Sequence, residues 1–147
     1  MDFREFQDLV VAFKQKQPVW FGLDADAPAT EAQLQDAETE IGVSFPEEYR
    51  RFLKEYGGGF FAFAKIYSVQ PGSDLHVLAI NRRAGLIGSG LLAFSDNGVG
   101  DLYGFKVGGG DSSIWFLDHE TRQWQATHFS DLIQFLVEEA LRQKGLS

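Results

Sequence analysis

The sequence has no cysteine, a single methionine and only four prolines among its 147 residues. Without cysteine, the chain has no disulfide, no cysteine-ligated zinc and no thiol nucleophile. No apolar run approaches the ~20 residues that span a bilayer, and the first ten residues lack the basic and apolar regions of a signal peptide. These absences predict a cytoplasmic protein with no cofactor and no membrane partner.

Positive charge is also scarce, because 13 lysines and arginines face 21 aspartates and glutamates, giving a net charge of −8. Residues 24–48 carry the whole excess, since they contain no lysine or arginine and the following acids: Asp24, Asp26, Glu31, Asp36, Glu38, Glu40, Glu47 and Glu48. Such a field repels nucleic acid and attracts basic proteins. The alternative interpretation is that these acids complement helix dipoles and keep the surface soluble.

Aromatic side chains are abundant, with 14 phenylalanines, four tyrosines and three tryptophans. In a chain of this length they predict one domain over residues 1–147 with a substantial core. The apolar spacing in residues 2–16 predicts a first helix. Residues 18–29 form a predicted connector, whose Trp20 either packs against the core or belongs to a binding surface.

The most patterned stretch, residues 30–61, predicts two helices joined by a corner. Thr30 followed by Gln33 is a capping-box pattern, and Gly42 suits the left-handed end of that first helix. Pro46 is predicted at the first position of the second helix, where its missing N–H is not needed. The second helix has an apolar face and then a glycine run: Tyr49, Phe52, Leu53 and Tyr56, followed by Gly57, Gly58 and Gly59.

The acids of the first of these helices differ in their positions on the helix wheel. Glu38 falls at the border of the buried stripe, so we predict that it pairs inside the protein with Arg50 or Arg51. Asp36 and Glu40 lie off the apolar stripe and are predicted to face outward.

The second half of the chain predicts mainly strands. Residues 60–69 are apolar on nearly both faces and predict one central strand. Residues 74–83 fit either a short helix or an irregular excursion. Four strands then follow as an antiparallel meander with glycine-containing turns, over 91–96, 101–107, 113–118 and 124–129.

A last helix is predicted to begin after Ser130 and Asp131 and to end near Arg142, Lys144 and Gly145. The expected fold class is therefore α+β, a single domain with helices packed on a twisted, mainly antiparallel sheet of about five strands.

Several polar residues lie near predicted strand ends: Asp96, Asp101, Asp118, His119 and Glu120. Carboxylates around a tight turn can hold a hard cation, but their spacing is not that of the twelve-residue calcium loop. Acids beside turns more often bond their own backbone, so we predict no metal site. The histidines lack zinc spacing, the glycines lack the spacing of a dinucleotide loop, and no nucleophile elbow is present. We predict no catalytic residue and no enzyme activity.

Residues 30–61 resemble the N-terminal signature of the SUKH superfamily, also called the Smi/Knr family. The matching residues are Glu38, Ile41, Gly42, Phe45, Pro46, Tyr49, Phe52, Leu53, Gly57 and Gly58. A central segment of Asp96, Gly98, Gly100 and Asp101 is similar to the family's glycine–aspartate segment. The resemblance covers residues 28–140 and leaves the helix 2–16 as a variable N-terminal part.

The resemblance implies a non-enzymatic α+β domain that binds proteins. Many bacterial members look like immunity proteins, which neutralise a cognate toxin, often a nuclease, whereas fungal relatives act as regulatory scaffolds for cell-wall synthesis. A compact acidic chain fits the immunity branch better, so the expected partner is a basic toxin domain. A regulatory scaffold without a toxin partner is the alternative, and a metal-dependent or small-molecule-binding enzyme is the remaining one.

The residues fall into two expected roles. The expected contacts with a partner are Asp24, Asp26, Glu31, Asp36, Glu40 and Trp20. The recurrent family positions are expected to serve as caps and core: Glu38, Gly42, Pro46, Tyr49, Gly57, Gly58, Asp96, Gly100 and Asp101. Nucleic acid is not an expected partner, because basic residues are scattered and outnumbered. Exposed sheet edges permit dimers, so a monomer or a weak homodimer is expected.

Overall fold

The computed structural model describes residues 1–143. Its helices are α1 (Phe3–Lys16), α2 (Glu31–Ile41), α3 (Glu47–Tyr56), α4 (Val77–Arg83) and α5 (Leu132–Phe135), the last continuing as a π-helical turn over Leu136–Ala140. Its strands are β1 (Gly59–Phe61), β2 (Ala64–Ile66), β3 (Leu91–Asp96), β4 (Leu102–Lys106), β5 (Ile114–Asp118) and β6 (Gln123–Ala126). The predicted end of the last helix at Lys144 and Gly145 lies outside the described residues. Within residues 1–143, no helix is long and apolar enough to cross a membrane.

The first helix of the structure begins after an acidic cap. The Asp2 carboxylate accepts the Glu5 N–H at 2.8 Å, and the Glu5 side chain accepts the Asp2 N–H in return. The apolar face of α1 buries Phe3, Phe6 and Val10. A short 3-10 helix, Pro18–Phe21, then opens the connector to α2.

The corner between α2 and α3 is built largely as predicted. Thr30 Oγ1 accepts the Gln33 N–H at 3.1 Å, and Gln33 Oε1 accepts the Thr30 N–H at 3.0 Å, which closes the predicted capping box. Gly42 ends α2 with a φ of 87°. Pro46 differs by one position, because it is the cap before α3 rather than its first helical residue. Its carbonyl accepts the Arg50 N–H at 3.1 Å.

The single strand predicted over residues 60–69 is wrong, because this segment folds back on itself. β1 and β2 form an antiparallel hairpin. At the reversal, Ala62 takes a left-handed φ of 50°, and the Phe63 N–H donates to the Ala140 carbonyl at 3.1 Å. The reversal therefore relies on a contact with the distant α5 extension, rather than on a glycine or asparagine that would mark a turn in the sequence.

The meander predicted for the second half is confirmed. β3, β4, β5 and β6 pair antiparallel in that order, and residues 74–83 contain α4. The described strands form a two-stranded and a four-stranded sheet, whereas the sequence predicts one sheet of about five strands. The Tyr67 N–H donates to the Phe94 carbonyl at 2.8 Å and joins the end of the hairpin to β3. The fold class is α+β, as predicted.

The core lies between the helices and the inner face of the four-stranded sheet. Phe94 and Phe105 stack with ring centroids 4.4 Å apart. Tyr49 from α3 packs on Phe105 at 5.7 Å, and Phe135 from α5 packs on Phe94 at 5.1 Å. The helix α2 lies against α4. Residues of both helices line one surface groove.

Candidate partner-binding surface

The acids of residues 24–48 do not form one uniform patch, because several of them are bonded inside the protein. Glu38 Oε2 accepts the Phe45 N–H at 2.7 Å, while Glu38 Oε1 lies 3.1 Å from Arg50 Nη2. The Glu38 and Arg50 side chains are only 16% and 17% exposed. The prediction that Glu38 pairs inside the protein with Arg50 or Arg51 is confirmed, and Arg50 is the partner.

Glu31, an expected contact residue, is held by two cations. Its carboxylate oxygens lie 2.6 Å from Arg50 Nη2 and 2.5 Å from Lys54 Nζ. The hydrogen bond from Arg50, followed by that from Lys54, lowers the pKa of Glu31 to about 2. Because two cations lie beside this carboxylate, it attracts a distant basic surface less than the acids without such neighbours.

Glu48 and Asp26 connect separate segments of the chain. Glu48 Oε1 accepts the Leu132 N–H at 3.1 Å, at the start of α5, and burial raises the pKa of Glu48. Asp26 Oδ2 accepts the Ser73 hydroxyl at 2.7 Å, and the Asp26 N–H donates to the Gly58 carbonyl at 2.9 Å. The expected contact residue Asp26 is therefore partly buried and already hydrogen-bonded.

Four acids remain exposed, and none of them forms an ion pair with another residue of 1–143: Asp24, Asp36, Glu40 and Glu47. Asp36 and Glu40 lie one turn apart on α2, and both face outward as predicted. They line a groove of about 490 Å³ between α2 and α4. Asp24 lies instead in the connector beside β1, where its carbonyl accepts the Phe60 N–H at 3.3 Å.

The groove between α2 and α4 has an acidic wall and an apolar base. Its lining includes three buried apolar residues, namely Ala37, Val69 and Leu78. On the α4 side, Arg82 lines the opposite rim. A side chain with an apolar stem and a cationic end suits such a site, because the stem can contact the base while the charge lies beside Asp36 and Glu40.

The sequence does not predict the α4 side of this groove, because residues 74–83 fit either a helix or an irregular excursion. One pattern does favour the helix: the apolar residues Val77, Leu78 and Ile80, all buried in the structure, precede two basic residues, Arg82 and Arg83, in the last helical turn. Basic residues at that end complement the helix dipole.

Comparison with known protein families shows the family to which this chain belongs. A family model described as SMI1-KNR4 cell-wall, of the SUKH group, matches residues 31–136, more than half of the chain. The chain belongs to the SUKH family. No curated protein matches the sequence. The matched region starts with α2 and includes α4, so both walls of the groove lie within the SUKH part of the chain.

The glycine run of the SUKH signature permits close packing of the backbone. A Cβ on Gly57 would lie 2.0 Å from the Asp26 carbonyl oxygen, and one on Gly58 would lie 2.9 Å from the Ile66 carbonyl oxygen. Both glycines have positive φ, 83° and 90°. The absence of a side chain at these two positions allows the connector and the hairpin to pack directly against this backbone.

Another signature residue, Asp96, also bonds within the fold. It accepts the Tyr67 hydroxyl at 2.7 Å and the Gly98 N–H at 2.8 Å, and it lies 2.9 Å from Lys65 Nζ. Tyr67 is itself buried and its carbonyl accepts the Tyr49 hydroxyl at 2.7 Å. Asp96 thus links β3 to the hairpin and to the turn that follows β3.

Three of the five polar residues near strand ends come together, since Asp101, Asp118 and His119 each offer one atom within 4.8 Å of the others. Asp101 Oδ1 accepts the His119 backbone N–H at 2.9 Å and lies 2.6 Å from the ring Nδ1. These two bonds lower the pKa of Asp101 to about 2, and the Asp101 side chain raises the pKa of His119. Asp118 Oδ1 accepts the Glu120 N–H at 2.8 Å. The three side chains thereby connect and cap two turns.

Trp20, the last expected contact residue, packs against other aromatic rings. It stacks on Phe13 at 5.5 Å and meets Phe63 edge-on at 4.9 Å. Phe63 and Phe60 are 51% and 40% exposed at the hairpin. This exposed aromatic pair does not follow from the sequence, because a central strand would have covered both of its faces.

Proposed function

We propose that this SUKH protein is a non-enzymatic binding domain that neutralises a basic bacterial toxin by binding it at the groove between α2 and α4. The observation that carries the proposal is the pair Asp36 and Glu40. Both are exposed and without an ion pair among residues 1–143, and both line a groove with an apolar base.

The two acids on the α2 side of the groove outnumber the one arginine, Arg82, on the α4 side, and this excess of negative charge supports attraction of a cationic partner. A nuclease domain must attract phosphate and is therefore often basic, so an acidic inhibitor gains both a faster encounter and complementarity in the complex. The apolar residues at the base of the groove, Ala37, Val69 and Leu78, are only 6%, 3% and 9% exposed, so they shape the groove and add little contact area. We therefore expect an association rate that falls with ionic strength.

Neutralisation of this kind requires stoichiometric contact and no chemical step. A tightly bound protein that covers the toxin's own active surface prevents substrate access, so no side chain of the inhibitor has to act as acid, base or nucleophile. Under this function, no residue of the chain acts in catalysis.

A regulatory scaffold is the second candidate function, and the cell-wall description of the matching family favours it. In that case the same groove would hold a basic segment of an endogenous partner. The two functions differ in the identity of the partner and in whether binding protects a cell from killing.

Co-expression tests the immunity proposal directly. The chain is produced together with the toxin-like protein encoded by an adjacent reading frame, and survival and complex formation are measured. Protection with a one-to-one complex supports the proposal. Absence of both protection and binding would refute it, and binding without protection would favour the scaffold.

Charge reversal tests the contact surface in the same complex. The double variant Asp36→Lys with Glu40→Lys should slow association about tenfold at low salt. The control pair Glu55→Lys with Glu120→Lys makes the same change in net charge at exposed positions that do not line the groove. Equal effects of the two double variants would show that the attraction reflects net charge alone and would reject the groove as the contact site.

A further inference from the structure

The outermost strand of the four-stranded sheet, β6, has an open edge. At the other side of the sheet, the edge of β3 is covered, because the Phe94 carbonyl accepts the Tyr67 N–H. Asn81 of α4 also bonds both the N–H and the carbonyl of Ala93, at 2.8 and 2.9 Å. Within residues 1–143, no strand pairs with β6 on the side away from β5.

The hydrogen-bond pattern identifies which groups of β6 face outward. The Thr127 N–H donates to the Ile114 carbonyl of β5 at 3.2 Å. Inward and outward groups alternate along an antiparallel strand, so Gln125 and Gln123 also direct their backbone groups toward β5. The N–H and carbonyl groups of Trp124 and Ala126 therefore point away from the sheet and offer bonds to another strand.

This edge is short, at four residues, but it lacks the other features that limit pairing with another chain. Natural edge strands carry charged residues or proline, or are covered by other elements. The sequence of β6 contains none of these residues: it is Gln123, Trp124, Gln125 and Ala126. In a chain with a net charge of −8, an uncharged edge strand removes the repulsion that two copies would otherwise meet at this position.

We propose that β6 pairs antiparallel with β6 of a second copy of this chain, around a two-fold axis that passes Gln125. Trp124 of one copy then lies opposite Ala126 of the other, and the two residues exchange their outward hydrogen bonds. The Trp124 ring points inward over Gly104, since its tip would lie 3.0 Å from a Cβ placed there.

The regular strand ends on either side of this short pairing. Arg122 lies in the turn before β6 with a left-handed φ of 57°, and His128 lies beyond Ala126, the last residue of β6. The contact is therefore confined to β6 and the residue that follows it. Because the contact is the same on both copies, it closes as a dimer and does not propagate into a filament.

Disulfide trapping tests the register, since the chain has no cysteine of its own. Gln125 faces its own counterpart across the axis in a pair that is not hydrogen-bonded, with Cα atoms ~4.5 Å apart, which a disulfide can span. The two copies of Gln123 lie about 13 Å apart, four residue steps along the strand. Under mild oxidation, Gln125→Cys should form a covalent dimer and Gln123→Cys should not.

Sedimentation measurements test the dimer itself, from micromolar to millimolar protein. Ala126→Pro removes an outward N–H and leaves the ladder with β5 intact, so it should weaken dimerisation at least tenfold, whereas Ala126→Thr should not. Circular dichroism checks the fold of both variants. A wild-type chain that stays monomeric over this whole concentration range would overturn the proposal, and so would equal disulfide formation by Gln123→Cys and Gln125→Cys. If Ala126→Pro does not fold, the disulfide-trapping result alone tests the register.

Discussion

Replacement of Glu38 should destabilise the protein far more than replacement of its neighbouring acids. Glu38 receives the Phe45 N–H at 2.7 Å with one oxygen and Arg50 at 3.1 Å with the other, and its side chain is only 16% exposed. It therefore fixes the corner between α2 and α3 from the inside. The variant Glu38→Ala removes both bonds and leaves the Phe45 N–H without this acceptor.

The magnitude follows from the two groups that lose their partner. A hydrogen bond to a charged group contributes ~1.5–3 kcal/mol, and a buried group left unpaired costs ~1–3 kcal/mol. Because these losses overlap at one site, we expect Glu38→Ala to lower the free energy of unfolding by about 3 kcal/mol. In a chain of this size, that loss corresponds to a decrease in Tm of about 6–12 °C. Glu38→Gln keeps an acceptor and a similar volume, so we expect a loss of about 1 kcal/mol.

Thermal and urea unfolding followed by circular dichroism measure these differences. Glu31→Ala is the matched control, because Glu31 binds the same Arg50 but has a side chain that is 46% exposed, and exposed ion pairs contribute little. The expected order of destabilisation is Glu38→Ala, then Glu38→Gln, then Glu31→Ala. If Glu38→Ala is no more destabilising than Glu31→Ala, the internal role of Glu38 is refuted.

Two further predictions concern backbone space and pH. Gly57→Ala should lower the free energy of unfolding by more than ~3 kcal/mol, because the new Cβ would lie 2.0 Å from a backbone carbonyl oxygen. Gly42 also has a positive φ but has open space around it, so Gly42→Ala should cost about 1 kcal/mol. Equal losses of stability in urea unfolding would contradict this reasoning. The Asp101–His119 pair should stabilise the protein most between pH 3.8 and 6.5. Because folding lowers the pKa of Asp101, the stabilisation from Asp101 is complete above pH 3.8 and is lost as the pH falls through about 2. Because folding raises the pKa of His119, the stabilisation from His119 is complete below pH 6.5 and is lost as the pH rises through the pKa of the folded state. An NMR titration should place the His119 midpoint above 6.5 and show a lower midpoint in Asp101→Asn; an unchanged midpoint would reject the pairing.

Local signals in the sequence are sufficient for the elements whose determinants lie close together in the chain. The capping box of Thr30 and Gln33 involves residues three positions apart, and Gly42 needs only its own backbone freedom. The meander follows in the same way from alternating residues and short turns. The position of Glu38 on its helix wheel also predicts the internal pairing that the structure contains.

Contacts between distant segments explain what the sequence does not predict. The turn of the β1–β2 hairpin is bonded by the Ala140 carbonyl, which lies far along the chain from Phe63. Asn81 likewise satisfies the backbone of Ala93 from within α4, although nothing in its own neighbourhood marks it as a buried residue. Neither contact produces a periodic pattern, so the hairpin and the placement of α4 follow only from the tertiary structure.

Because of the distribution of charge, the proposed contact surface is smaller than the acidic segment. Arg50 and Lys54 lie outside residues 24–48, yet they neutralise Glu31, and Arg50 also binds Glu38. The remaining field on α2 comes from Asp36 and Glu40, which line the groove. Under the proposed function, a basic partner is attracted to the groove that these two acids line. The edge of β6 shares no residue with that groove, so a dimer formed through β6 leaves each copy free to bind its own partner.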